Sequence, residues 1–396
     1  MPRVQTGLDL LVAESFRRFR GQRVGVVAHP ASVDSRLRHI ADLIQAPSDV
    51  KLETVFGPEH GWFGQAQDLH PVSTAESPAR GPRLISLYGE TQESLHPAPQ
   101  HLAELDALII DLQDVGARYY TFQATMLYCL EAANSIGLRV VVLDRPNPIG
   151  GLQIEGPGLT SGFESFVGPH DLPTRHGLTL GELARLYQSE RKLGKLILEV
   201  VPCQGWRRDQ FFEDTGLPWV LPSPNMPSVD TAVVYPGQCL LEGTNLSEGR
   251  GTTRPFELCG APWLDPASLA AQLNREQLPG VLFRPACFKP TFQKHAGSQC
   301  GGVQLHVLDR RAFQPVRTGL AVLAAMRDHS GPNFRWRSEL YEFVSHPAAI
   351  DLLFGSDRER RALEAGQSWR DIAGAWVPEQ EAFLERRAPF LLYPAD

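Results

Sequence analysis

Closely spaced cysteines are missing from this sequence of 396 residues. Its six cysteines are spread from Cys129 to Cys300 without a C-x-x-C pair, which fits neither a disulfide scaffold nor a common zinc site. We therefore expect reduced, mostly buried thiols, as are typical of cytoplasmic proteins.

Long apolar runs are also missing. The run at 107–110 is far shorter than the ~20 residues that a membrane-spanning helix needs. Near the amino terminus, Glu14 follows directly on the short apolar run at 8–13, and no export signal is recognisable. The sequence thus predicts a soluble, cytoplasmic protein without a membrane partner, although a signal removed from the natural chain would change that prediction.

A basic surface for nucleic acid is not indicated either. The net charge is −7 at pH 7, and the positive residues are scattered along the chain, so DNA and RNA are not expected partners. A composition of 42% hydrophobic and 21% charged residues is typical of a globular protein, and the length suggests about two to three domains. These features do not predict the oligomeric state.

Motifs for nucleotides, metals and acyl transfer are absent as well. No G-x-G-x-x-G follows the first predicted strand, and the sequence contains no P-loop, no H-E-x-x-H helix and no G-x-S-x-G elbow. The glycine-rich stretch at 248–253 could hold an anion, but it lacks the P-loop lysine, so we interpret it as a substrate loop. We expect neither a cofactor nor a catalytic metal.

Apolar runs that alternate with helical patterns dominate the first half. Buried strands are predicted at 24–28, 52–56, 83–87, 107–111 and 139–143, and helices at 35–44, 100–105 and 120–136. Gly137 is the expected C-cap of the last helix. This alternation predicts an α/β fold with a Rossmann-like, doubly wound parallel sheet.

Polar residues follow the end of each predicted strand, and Glu59 lies in the most informative of these loops. In open α/β sheets the carboxyl ends of the strands form the crevice where ligands bind, so these loops should converge on one site. Glycine and proline flank Glu59 and prevent regular structure, which indicates a short rigid loop. An acidic turn without a function is the alternative interpretation.

The second half differs in pattern. A further strand is possible at 196–201, and four prolines at 217–227 exclude a helix there. Beyond this stretch, helices are predicted at 266–275, 315–329 and 358–365, and strands at 281–288 and 302–308. We therefore predict two domains, a catalytic one at 1–228 and a smaller α/β domain at 229–396 that closes the active-site cleft.

The segment at 242–257 is irregular and rich in polar groups. Ordering its glutamates, arginines and asparagine is costly unless they bind something, although a solvated loop with internal salt bridges is the alternative. Hydroxyl, amide and guanidinium groups together suit an oxygen-rich ligand such as a sugar, with Trp62, Tyr119 or Tyr120 as stacking faces.

Six strings, spread in order over most of the chain, resemble the exo-β-N-acetylmuramidase family of peptidoglycan-recycling glycosidases. They are FGPEHG at 56–61, DLQDVGARYYT at 111–121, LDRPNPIGG at 143–151, EGP at 155–157, PSPNMP at 222–227 and LEGTNLSEGRGT at 241–252. The resemblance implies a Rossmann-like first domain, a smaller second domain, and a site in the cleft between them. It also implies the release of terminal N-acetylmuramic acid from the non-reducing end of bacterial cell-wall fragments.

Glycoside hydrolysis usually needs two carboxyl groups. Glu59 matches the acidic motif of the family and is the expected proton donor, with His60 orienting it or binding a sugar hydroxyl. The second group stays open between Asp114, Glu248 and the substrate's own 2-acetamido group, and further acidic candidates are Asp111, Glu155 and Glu242.

The lactyl carboxylate of muramic acid should need a cation for recognition, and Arg118, Arg250 and Arg254 are the candidates. The remaining predicted substrate-binding residues are Tyr119, Tyr120, Asn147, Asn225 and Asn245. Two other classes stay open, a non-catalytic sugar- or peptidoglycan-binding protein and a metal-dependent hydrolase.

Overall fold

A six-stranded parallel sheet organises the first half of the chain. The computed structural model describes residues 4–46, 49–67, 69–72 and 81–395. The strands lie in the order β3-β2-β1-β4-β5-β6, so the direction in which the sheet is built reverses between β1 and β4. The strands are β1 Arg23–Ala28, β2 Lys51–Gly57, β3 Arg83–Ser86, β4 Ala107–Asp111, β5 Arg139–Leu143 and β6 Ile197–Val201.

Both faces of this sheet are buried, which explains why its strands are continuous apolar runs. Side chains alternate between the faces along each strand. In β1, Val24 and Val26 pack into one apolar cluster and Val27 into the other. In β4, Ile109 and Ile110 divide in the same way. Helices cover both faces, as parallel sheets require.

Thirteen α-helices occur among the described residues. They are α1 Gly7–Ala13, α2 Ile40–Gln45, α3 Pro99–Leu102, α4 Phe122–Ile136, α5 Leu180–Glu190, α6 Phe212–Thr215, α7 Val229–Gln238, α8 Pro266–Arg275, α9 Pro315–Ser330, α10 Ala349–Phe354, α11 Arg358–Glu364, α12 Trp369–Gly374 and α13 Val377–Arg387. None of these helices combines the length and the apolar character that crossing a membrane would take.

A smaller antiparallel sheet lies in the second half, with the strand order β7-β9-β8. Its strands are β7 Leu258–Ala261, β8 Val281–Phe288 and β9 Cys300–Val307. Half of the residues of β8 are exposed, in keeping with an antiparallel sheet that has one face in water.

Helices α7 and α9 cross with their backbones in contact. A Cβ added at Gly237 would lie 1.9 Å from the carbonyl oxygen of Pro315, and one added at Gly319 would lie 2.2 Å from the carbonyl oxygen of Gly237. Only glycine allows so close an approach of two helices. The crossing fixes α7, whose Tyr235 faces the pocket described below.

The predicted fold class is confirmed, and the predicted strands are found with ends that shift by at most two residues. Gly137 is the left-handed C-cap of α4, as expected. The helix predicted at 35–44 is wrong in its first half, since α2 begins only at Ile40. Asp34 explains this, because its carboxylate accepts hydrogen bonds from the backbone of Arg36 and Arg38 and holds a turn instead.

Several elements were not predicted, among them α1, α5, α7 and β7. For α5 the signal was present in the sequence, because Thr179 and Glu182 form a capping box at its amino terminus. The strand β7 has only four residues and no alternation of apolar and polar side chains.

Candidate active site

A pocket lies beyond the carboxyl end of β2. Residues from both halves of the chain line it, so it is formed where the large sheet meets the second half. The lining residues are Glu59, His60, Tyr119, Tyr120, Thr121, Ser223, Asn225, Met226, Tyr235, Glu242, Arg250, Phe256, Tyr341 and Glu342. We call this cavity the Glu59 pocket.

Glu59 reaches the pocket on a tight loop. The loop turns back through a hydrogen bond from the backbone of Gly61 to the carbonyl of Pro58, at 3.0 Å. His60 and Gly61 both have left-handed backbones, with φ of 71° and 75°. Such a conformation costs a histidine about 1–2 kcal/mol, and its occurrence beside an acid in a pocket suggests a functional constraint.

Thr121 and His60 are fixed beside the acid by hydrogen bonds. The hydroxyl of Thr121 donates to the Glu59 carboxylate at 2.7 Å. The Nδ1 atom of His60 donates to the carbonyl of Ala66 at 2.9 Å, which defines the orientation of its ring. Among the described residues, no lysine, arginine or histidine forms an ion pair with Glu59. Its carboxyl group is therefore oriented but not neutralised.

Aromatic side chains form one wall of the pocket. The rings of Tyr119 and Tyr120 each pack edge-on against Tyr235, at centroid distances of 5.6 and 5.8 Å. Burial raises the pKa of all three phenols well above the ordinary value, so their hydroxyls stay protonated. The hydroxyl of Tyr119 donates to the carbonyl of Pro236 and so ties the start of α4 to α7.

Glu242, Arg250 and Tyr341 form a second wall. Arg250 Nη1 donates to Glu242 at 2.6 Å, and the Tyr341 hydroxyl donates to the other carboxylate oxygen of Glu242 at 2.9 Å. The guanidinium of Arg250 also lies 4.8 Å from the centre of the Phe256 ring. The arginine is thereby held rigidly at the pocket surface.

Glu342 is a third carboxylate in the pocket, and it was not predicted. It is buried and accepts a hydrogen bond from the hydroxyl of Tyr88 at 2.9 Å. Glu342 and Phe343 both have left-handed backbones, with φ of 46° and 68°, in a tight turn closed by two hydrogen bonds between Tyr341 and Val344. In the sequence its aromatic neighbours look like an ordinary apolar stretch.

Asp114 is buried outside the lining of the Glu59 pocket. Its Oδ2 accepts from the backbone of Gly116 at 2.7 Å and lies 3.7 Å from His176 Nε2. Desolvation raises its pKa to about 7, against the effect of the hydrogen bonds from the backbone. This carboxyl group holds the loop after β4 together and does not face the pocket.

Glu248 also lies outside the lining. Burial opposes its ionisation, but Lys294 at 2.9 Å and Arg250 at 3.2 Å outweigh that effect and lower its pKa to about 2. It is therefore the fixed anion of a buried ion-pair network that positions Arg250.

The other acidic candidates are divided between the pocket and the interior. Glu242 lines the pocket, whereas Asp111 and Glu155 do not. Asp111 binds Arg145 at 2.6 Å, and Glu155 binds Arg175 at 2.9 Å and accepts a hydrogen bond from the backbone of Val316.

Two of the three candidate arginines are placed away from the pocket. Arg118 is fully buried and donates to the carbonyls of Pro157, Leu172 and Leu353, and burial lowers its pKa to about 10. Arg254 is half exposed and pairs with Glu257 at 3.1 Å. Arg250 is the candidate that the structure brings to the pocket.

Of the three predicted asparagines and Trp62, one residue lines the pocket. Asn225 lines the pocket and donates to Gln67 at 2.8 Å. Asn147 and Asn245 hold loops elsewhere through hydrogen bonds with the backbone. Trp62 lies outside the lining and packs edge-on against His39, with the ring centres 4.6 Å apart.

A metal centre is not formed by the part of the chain that the structure describes. No three His, Cys, Asp or Glu side chains come together there in a way that could hold a metal ion. The lining residues that the sequence did not reveal are Thr121, Ser223, Met226, Tyr235, Phe256, Tyr341 and Glu342. Thr121 is the last residue of the second string quoted above for the family resemblance, and Tyr235, Phe256, Tyr341 and Glu342 lie outside all six strings.

Comparisons with known proteins match almost the whole chain. Residues 24–230 match the family described as exo-beta-N-acetylmuramidase NamZ, N-terminal, and residues 233–393 match its C-terminal counterpart. The peptidoglycan beta-N-acetylmuramidase NamZ of Bacillus subtilis (strain 168) is 44% identical over 392 residues, which is 99% of this chain and 92% of that protein.

Two crystal structures of DUF1343 family proteins from Bacteroides fragilis NCTC 9343 are also similar. One has a TM-score of 0.87 at 34% identity and covers 99% of both chains. The other has a TM-score of 0.78 at 27% identity and covers 100% of both chains.

Proposed function

The chain belongs to the exo-beta-N-acetylmuramidase NamZ family and is a glycoside hydrolase of peptidoglycan; we propose that it releases terminal N-acetylmuramic acid, with Glu59 as the general acid. The observation that carries this assignment is the position of Glu59, a carboxyl group in the pocket that Thr121 orients and that no described cation neutralises. The family and the enzyme class expected from the sequence are confirmed.

The reaction needs a proton on the leaving oxygen. As the bond between C1 of the sugar and the glycosidic oxygen breaks, the Glu59 carboxyl group gives its proton to that oxygen, and water supplies the hydroxyl that C1 receives. The hydrogen bond from Thr121 holds one carboxylate oxygen of Glu59 in place at the pocket. The buried tyrosines exclude water from the rest of the wall.

Recognition of the lactyl carboxylate falls to Arg250 in this proposal. Of the three arginines considered, it is the one in the pocket lining, and two carboxylates and the Phe256 ring fix its guanidinium. A rigid, planar cation suits bidentate binding of a carboxylate. Asp114 and Glu248 take no direct part, because both lie outside the lining and hold other protein groups.

The test is the exchange of Glu59 for glutamine, with release of N-acetylmuramic acid from a non-reducing muramoyl disaccharide as the readout. We expect kcat to fall by about 10³-fold, since a general acid contributes 10²–10⁴-fold, while binding of the disaccharide is retained. Glu53→Gln, a change outside the pocket on the strand that leads to the Glu59 loop, is the matched control. Full activity of Glu59→Gln would overturn the assignment.

The same assay separates the two other classes. A metal-dependent hydrolase would lose activity in EDTA, whereas we expect an unchanged rate. A binding protein without catalysis would bind the disaccharide and release nothing even as the wild-type chain.

We also infer a cytoplasmic location. All six cysteines are unpaired, and one of them, Cys287, is exposed, which suits a reducing compartment. Fractionation of cells and detection of the protein in the periplasmic or extracellular fraction would contradict this inference.

A further inference from the structure

A lysine from the connection between β8 and β9 lies behind the wall of the Glu59 pocket. The connection comprises residues 289–299 and is longer than the about two to five residues that usually join two antiparallel strands. The side chain of Lys294, near its middle, is 18% exposed. Its Nζ donates to the carbonyls of Leu241 at 2.8 Å and Leu246 at 3.0 Å, and to the carboxylate of Glu248 at 2.9 Å. All three donors of the ammonium group are thus engaged.

The backbone on both sides of this lysine is strained. Gln293 and His295 have left-handed conformations, with φ of 64° and 59°, which are unfavourable for residues other than glycine. The ring Nε2 of His295 also donates to the carbonyl of Asn245 at 2.7 Å, which ties the connection to the segment at 242–257. A surface connection has no need of such a conformation, whereas delivering the amine of Lys294 to a fixed point accounts for it.

Glu248 shares its charge between two cations. It pairs with Lys294 at 2.9 Å and with Arg250 at 3.2 Å, while Arg250 also pairs with Glu242 at 2.6 Å. Without the lysine, the ion-pair network around Arg250 would be more negative by one unit of charge. A further negative charge close to a buried site opposes the binding of an anion there, because the protein screens it less than water does.

We propose that Lys294 is a positioning residue for the recognition of an acidic sugar, which offsets the charge of Glu248 so that Arg250 attracts the lactyl carboxylate. Lys294 is not in the lining of the pocket and acts through Arg250. It therefore affects the binding of the acid and not the cleavage of the glycosidic bond, for which Glu59 supplies the proton. This inference rests on the function proposed above.

The test compares N-acetylmuramic acid with its methyl ester as competitive inhibitors, since the two differ by one negative charge. The inhibition constant of the ester divided by that of the acid measures the preference for the acid. In Lys294→Met, which removes the charge at similar length, we expect this ratio to fall by about tenfold. The KM of a muramoyl disaccharide should rise by a similar factor with kcat nearly unchanged, as for a lost contribution to binding alone.

Two further variants separate charge from structure. Glu248→Gln removes the anion and keeps the lysine, so the ratio should rise above the wild-type value. The double variant Glu248→Gln/Lys294→Met removes one charge of each sign and should return the ratio to the wild-type value. Lys289→Met, at an exposed lysine of the same connection, is the matched control and should leave the ratio and the activity unchanged.

The outcomes distinguish this inference from the proposed function. Equal losses of affinity for acid and ester in Lys294→Met, or a ratio that stays low in the double variant, would overturn the role of Lys294 alone. If neither methionine variant folds, Glu248→Gln still decides, because a ratio no higher than that of the wild type contradicts the inference. A wild-type chain that releases no N-acetylmuramic acid would instead overturn the proposed function.

Discussion

The loop at 57–61 and the segment at 242–254 are alike in sequence and opposite in structure. Both are rich in glycine, contain glutamate and are irregular. The first places Glu59 in the pocket with a hydroxyl as its partner, whereas the second engages Glu242 and Glu248 in ion pairs with Arg250 and Lys294. The hydrogen-bond and ion-pair partners of a carboxylate therefore show whether it is available for chemistry or holds a cation in place. Its neighbours in sequence do not show this.

The largest effect that this comparison predicts is on stability, for Glu248→Gln. Removing one member of a buried ion-pair network leaves Lys294 without its anion and Arg250 with Glu242 alone, and we expect the free energy of unfolding to fall by about 3–5 kcal/mol in urea titrations. Glu59→Gln should change it by less than about 1 kcal/mol. If folded Glu248→Gln instead lost about 10³-fold in kcat, the contrast between the two segments would fail.

Asp114 adds a third case to the comparison, because it is buried beside the neutral His176 and not beside a charged lysine or arginine among its described contacts. Desolvation raises its pKa to about 7 from 3.8, so its contribution to stability is full below pH 3.8 and is lost as the pH rises through about 7. His176 beside it has a pKa lowered to about 3 by burial and stays neutral over this range. Between pH 5 and pH 8 the wild type should lose about 3 kcal/mol relative to Asp114→Asn.

Urea unfolding at several pH values measures this difference. Burial also raises the pKa of Asp144, to about 6, but that residue is present in both proteins and its contribution cancels. A difference that does not change with pH would show that Asp114 ionises normally in the folded protein.

Arg250→Lys tests whether the ion pairs of the second segment hold Arg250 in place for binding of a carboxylate. Lysine keeps a positive charge near Glu242 and Glu248 but lacks the planar fork, so binding of a carboxylate should weaken by about 10–100-fold. We expect this loss in the inhibition constant of N-acetylmuramic acid and little change for N-acetylglucosamine. Equal losses for both sugars would remove Arg250 from lactyl recognition.

Thr121→Val should have the smallest effect, and it removes the hydroxyl that donates to Glu59. Valine has nearly the same shape and cannot donate a hydrogen bond, so the carboxyl group should be less well oriented and kcat should fall by about tenfold. Steady-state kinetics measure this, with Thr125→Val, a threonine on the next turn of the same helix, as the control. A rate equal to that of the wild type would show that Glu59 needs no orientation by Thr121.

The sequence predicts the large sheet well because each of its strands carries its own signal. Val and Ile runs such as 139–143 are buried on both faces and end at turn residues, so local composition is sufficient. The short strand β7 has no such signal and forms because β9 pairs with it. Glu59 was predictable for the same local reason, since a strand ends beside it and breakers surround it.

The rest of the site depends on contacts that sequence spacing does not contain. Glu342 joins the pocket through a hydrogen bond to Tyr88 from the other half of the chain. Asp114 and Arg118 follow a strand end as Glu59 does, yet their side chains turn towards the backbone of neighbouring loops. The direction of a side chain after a strand end is decided by packing, and for that reason the sequence could not separate these residues.

The crossing of α7 and α9 has a consequence for how the pocket tolerates change. No side chain lies between Gly237 and Gly319, so the backbones of the two helices are in direct contact. Even a methyl group at either position would push α7 away from α9 and would displace Tyr235 with it. The pocket wall is therefore anchored by two residues that never meet the sugar. A larger residue at either position would change the shape of the pocket even if every lining residue stayed the same.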